Sequence, residues 1–112
     1  RLRADLDTML VVPGLQEAKD YTFDGVFEPE ASNDGVFRAV GLPVLEECLR
    51  GYNGSIMAYG QTGTGKTHSL MREGGDAGVL HRLVTSLFER IREDVGATYH
   101  VEMAAMQVYN EQ

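Results

Sequence analysis

A chain of 112 residues holds one domain at most, large enough to bury a core but small for a complete nucleotide-driven machine. Its 43% hydrophobic content is that of an ordinary globular protein, and no apolar stretch approaches membrane-spanning length, so membrane insertion is not expected. A formal net charge of −7 argues against nucleic acid, or any acidic surface, as a direct partner. The one cysteine, Cys48, cannot staple the fold. It lies among Val44, Leu45 and Leu49 at helical spacing, which reads as a buried structural thiol in a reducing, intracellular protein. His68, His81 and His100 are scattered without metal-ligand spacing, so no structural metal is expected. The first residue is Arg1 and not methionine, as in a piece of a longer protein.

In chain order, Thr8-Met9-Leu10-Val11-Val12 reads as a short strand broken by Pro13-Gly14, and Asp20-Tyr21-Thr22-Phe23-Asp24 as a second. The two would make a peripheral hairpin. Residues 28–33 are polar and contain Pro29, hence loop, with Asn33 or Asp34 capping the next helix. That helix is expected over 35–49. Val36, Phe37, Val40, Val44, Leu45 and Cys48 recur at three- and four-residue steps, and Gly41 and Pro43 should kink or interrupt it. Gly51-Tyr52-Asn53-Gly54 supplies strong turn chemistry at its end. Ser55-Ile56-Met57-Ala58-Tyr59 is the apolar run of a buried strand.

Directly after that run comes Gly60-Gln61-Thr62-Gly63-Thr64-Gly65-Lys66-Thr67, which fits G-x-x-x-x-G-K-S/T at every fixed position. Each residue type has a reason. Glycines let the backbone curl so that successive N–H groups point at phosphate oxygens. Lys66 would reach the terminal phosphates as a point charge. The Thr67 hydroxyl would ligate a magnesium ion that keeps most of its water. The start of the following helix adds partial positive charge. A glycine-rich turn that happens to carry a lysine is the bland alternative, and the strand before and helix after weigh against it. The loop alone admits any ATPase or GTPase of this kind.

Beyond Thr67 a short helix should run to Gly74-Gly75, followed by a mobile loop through Asp76-Ala77-Gly78. A second helix is expected from about Leu80 to Asp94, with Leu83, Val84, Leu87, Phe88 and Ile91 as its core stripe. From Thr98 to Tyr109 apolar and polar residues alternate, the pattern of a long strand. The expected fold is therefore α/β, a P-loop NTPase-type sheet of parallel strands flanked by helices.

Taken together, the segments resemble the front part of a kinesin motor domain. Tyr21-Thr22-Phe23-Asp24-Gly25-Val26-Phe27 resembles the family's F-D-x-V-F segment. Gly51-Tyr52-Asn53-Gly54-Ser55-Ile56-Met57-Ala58-Tyr59, running on into the phosphate loop and His68, resembles G-Y-N-G-T-I-x-A-Y-G-Q-T-G-x-G-K-T-H almost residue for residue. Val108-Tyr109-Asn110-Glu111 resembles I-Y-N-E. The departures are His81 for a proline in Gly78-Val79-Leu80-His81-Arg82, and Ala104 and Gln107 for serine and glutamate. Arg1-Leu2-Arg3, with Ala4 in a proline's place, is a poor match to the family's adenine-framing R-x-R-P.

The resemblance implies that Gly60, Gln61, Thr62, Gly63, Thr64, Gly65, Lys66 and Thr67 hold the phosphates and magnesium of ATP, with His68 against the adenine. It implies a partial motor domain over 1–112, from a microtubule-dependent motor ATPase of the cytoplasm and cytoskeleton. The serine-rich and D-x-x-G switch segments of the family do not occur in these residues, nor do its principal tubulin-contacting parts. The 112 residues are accordingly expected to bind ATP, to hydrolyse little of it alone, and to aggregate readily. The other reading is a truncated, non-motile kinesin-like protein that serves as a nucleotide-binding or interaction module. Intact Lys66 and Thr67 weigh against it.

Overall fold

Ser32 starts the first helix: its backbone is extended, and its hydroxyl accepts a hydrogen bond from the Gly35 N–H at 3.2 Å. Neither Asn33 nor Asp34 is the cap; both lie in the first turn. The computed structural model describes residues 22–108. Thr8-Met9-Leu10-Val11-Val12, Arg1-Leu2-Arg3 and Tyr109-Asn110-Glu111 lie outside the described residues, as do Asp20 and Tyr21 of the second expected strand.

From Ser32 the chain runs through α1 (Asn33–Val36), a π-turn (Phe37–Gly41) and α2 (Leu42–Leu49) without a break. The π-turn is closed by the Leu42 N–H donating to the Phe37 carbonyl, five residues back. A proline has no N–H to donate, and its ring crowds the carbonyl four residues earlier. Widening the turn just before Pro43 relieves that crowding, so the expected interruption is a local bulge and the axis continues. Gly41 matters for another reason. A Cβ there would lie 2.6 Å from the Phe37 ring and 3.1 Å from the Val79 side chain, so its bare backbone lets the next helix come close.

Helix α2 ends as Gly51 predicts. Gly51 takes φ of +97°, its N–H donates to the Cys48 carbonyl, and the Tyr52 N–H reaches the Glu47 carbonyl. These two bonds satisfy carbonyls that a helix end leaves without partners. Helix α3 (Lys66–Met71) follows the glycine-rich loop, and α4 (Val79–Glu93) begins one residue earlier than its expected start. His81 falls in the first turn of α4, where a backbone N–H needs no intrahelical partner, so histidine and proline are both compatible with the helix starting there.

The expected α/β sheet is corrected. The described residues form helices only: residues 52–60 and 97–108 join no ladder, and neither does Thr22-Phe23-Asp24. Alternation of side chains specifies which faces a strand would have, but a strand exists through hydrogen bonds to a neighbour, and neither segment has one among the described residues. The apolar side chains expected inside a sheet are consequently exposed, Met57 at 87% and Tyr59 at 97%.

The core is small. Phe37, Leu45, Ala77 and Val79 are buried where the first helix crosses the start of α4. The stripe of α4 is half-buried at Leu83, Val84, Leu87 and Ile91, and Phe88 is exposed. Cys48 is exposed too, against expectation. It lies on the rim of an apolar groove of about 430 Å³ between α2 and α4, lined by Val44, Ile56, Leu83 and Leu87, and nothing among the described residues fills that groove. No helix among the described residues is long and apolar enough to cross a membrane.

Candidate phosphate-binding loop

The loop over residues 60–67 owes its path to glycine. Gly63 and Gly65 take φ of +84° and +91°, left-handed values that side-chain-bearing residues rarely adopt. A Cβ on either would meet open space, so the backbone angle and not crowding demands glycine there. At Gly60 a Cβ would fall 2.6 Å from the Thr64 hydroxyl. That hydroxyl closes the turn by donating to the Gln61 carbonyl at 2.8 Å.

Lys66 is the first residue of α3, and its side chain folds back across the loop. Its Nζ donates to the carbonyls of Gly60 at 2.9 Å and Gln61 at 2.5 Å. The structure thus brings Gly60, Gln61, Thr64 and Lys66 together in one closed turn, with Thr62 and Gly63 at its exposed tip. Thr67 and His68 follow on the exposed first turn of α3. The His68 ring pairs with Arg72, Nε2 to Nη1 at 2.6 Å, one helical turn along. No group of three or more His, Cys, Asp or Glu that could hold a metal occurs among the described residues.

A polar cluster behind the loop escaped the sequence reading. Asn33 is buried. Its backbone N–H donates to the Asp76 carboxylate, at 3.0 and 3.2 Å to the two oxygens. Its side-chain Nδ2 donates to the carbonyls of His68 at 3.2 Å and Asp76 at 3.0 Å. Arg82 completes the cluster from α4, with Nε on the Ala77 carbonyl at 2.8 Å, Nη1 on Asp34 at 2.8 Å and Nη2 near Asp76 at 3.5 Å. A hydrogen bond from Arg38 at 2.6 Å, together with the charges of Arg38 and Arg82, holds the Asp34 carboxyl below its ordinary value.

The segment Asp76-Ala77-Gly78, expected to be a mobile loop, is pinned. Ala77 and Gly78 are buried, and the Gly78 N–H donates to the Arg72 carbonyl at 2.8 Å. A Cβ on Gly78 would lie 2.5 Å from the Leu70 carbonyl carbon and oxygen, so glycine alone lets this strand of backbone lie on the end of α3.

Residues 8–112 match the model of the kinesin motor domain. Kinesin-like protein KIN-12C of Arabidopsis thaliana is 38% identical over 125 aligned residues, covering 99% of this chain. Kinesin-like protein KIF11-A of Xenopus laevis is 39% identical over 105 residues, covering 84%. The kinesin heavy chain of Caenorhabditis elegans is 34% identical over 97 residues, covering 83%. The chain spans only 6%, 10% and 12% of the lengths of these three relatives. The chain belongs to the kinesin motor-domain family.

Proposed function

We propose that residues 60–67 bind the phosphates of MgATP, and that the chain is the nucleotide-binding part of a motor ATPase that moves along microtubules. The observation that carries this reading is the closed loop with Lys66 folded across it. An ammonium group has three N–H donors, and two are spent on the loop's own carbonyls. The third is available to a phosphate oxygen, at the edge of a backbone whose glycines keep it open. The loop contains no carboxylate that would repel an anion.

Thr67 would hold the magnesium ion by its hydroxyl, the ion taking its other ligands from phosphate and water, as magnesium sites commonly do. Its exposure on the first turn of α3 suits that role. His68, one residue on, would lie against the adenine, and the partner it would exchange for that contact is the Arg72 guanidinium. Magnesium, when bound, would supply charge neutralisation at the phosphates, and this chain's Lys66 and loop backbone would bind and orient them. Positioning of the attacking water is assigned to residues outside 60–68. In the whole protein the family membership supports tubulin as partner and the microtubule cytoskeleton of the cytoplasm as location.

Titration with a fluorescent ATP analogue, with and without magnesium, tests the assignment. Binding should tighten with magnesium in the wild type, and Thr67→Asn should lose most of that gain while still binding the magnesium-free nucleotide. An unchanged magnesium dependence in Thr67→Asn would remove Thr67 from the site.

A further inference from the structure

Helix α3 carries Lys66, Thr67 and His68, yet it has only six residues. Isolated helices of that length do not persist in water, because too few hydrogen bonds offset the cost of the first turn. Its orientation must come from contacts with the rest of the chain. At its end the backbone of Gly78 lies on Leu70 and Met71, and the Gly78 N–H donates to the Arg72 carbonyl. Within the helix, the Asn33 side-chain amide donates to the His68 carbonyl.

We propose that Asn33 is a positioning residue for the phosphate-binding loop, acting as a donor clamp that fixes α3 against α1 and α4. The inference rests on the phosphate-binding reading for its functional half only. Asn33 is 3% exposed, so its amide sits where water does not compete. Both side-chain N–H groups are directed to main-chain carbonyls, His68 on α3 and Asp76 on the following segment. Its own N–H holds the Asp76 carboxylate, whose Oδ1 Arg82 of α4 also approaches at 3.5 Å. One buried amide thereby ties α1 to α3 and to the segment before α4, 35 and 43 residues away in sequence. Carbonyls can only accept, so a side chain that can only accept cannot replace it.

The test compares Asn33→Ala, which removes the donors and some volume, with Asn33→Asp, which keeps the shape and presents an acceptor to the two carbonyls. Gly41→Ala serves as a control, strained at the contact with Phe37 and Val79 and clear of Asn33's hydrogen bonds. Native-state hydrogen exchange of the α3 amides, referred to those of α4 in the same molecule, reads the clamp without any nucleotide. Both Asn33 variants should speed α3 exchange roughly tenfold relative to α4 and weaken binding of a fluorescent ATP analogue by a similar factor. Gly41→Ala should alter the exchange of both helices together. Wild-type α3 exchange in Asn33→Asp would overturn the clamp, because shape alone would then suffice. Faster α3 exchange with unchanged nucleotide affinity would overturn the positioning role. Absence of nucleotide binding in the wild type would overturn the phosphate-binding reading and the positioning role with it, and the exchange result would still decide the clamp.

Discussion

Asp34 sits between two guanidinium groups, Arg38 one turn along the same helix and Arg82 from α4. Its carboxyl is held below the ordinary value, chiefly by the hydrogen bond from Arg38. A depressed carboxyl stabilises the folded chain fully above its unfolded pKa and loses that contribution as pH falls through the folded one. Stability should therefore decline below about pH 4, and Arg38→Ala should remove part of that decline. Thermal midpoints measured from about pH 5 to pH 2 check this, and identical acid limbs for the two proteins would contradict it. At this scale the sequence was informative where chemistry is local. Gly63, Gly65 and Lys66 were legible because their spacing along a few residues is itself the loop. Asn33 and Asp76 were not, because they meet across 43 residues and a lone asparagine near a helix start reads as a cap. Ser32, one position earlier, takes that role and frees the Asn33 amide for α3.

At the scale of elements, the helices were legible because their signals lie within each segment. The turn at Gly51 ended α2 where expected, and the apolar stripe placed α4 within one residue at each end. The interruption at Pro43 was foreseen, though not its form as a π-turn that leaves the helix continuous. The strands were a different matter. Alternation over 98–109 describes faces, while a ladder depends on a partner that the segment itself does not specify. Gly78 shows the same limit from the other side, since a glycine in a polar loop looked mobile and is in fact wedged on the backbone of α3. Gly78→Ala should cost about 3 kcal/mol, because the obstructing atoms are main chain and cannot rotate away. Chemical denaturation would measure it, and a loss under about 0.5 kcal/mol would show that α3 shifts freely.

At the scale of the whole molecule, the arrangement of the described residues is open. The radius of gyration is 17.4 Å, against about 13 Å for a compact domain of 100 residues. Among the described residues four apolar residues form the buried core, while Met57, Tyr59, Met103 and Met106 are largely exposed. The first helix, α3 and α4 are locked by the polar cluster of Asn33, Asp34, Asp76 and Arg82. Family membership rests on nearly the full length of the chain, and the motor activity proposed for the whole protein rests on that loop working as a nucleotide site. Equilibrium titration of the chain with MgATP, wild type against Lys66→Ala, tests that claim most directly. Loss of the Lys66 ammonium should weaken binding by at least about tenfold while the helical content stays unchanged. Equal affinity in the two proteins would mean that residues 60–67 are not where the phosphates bind.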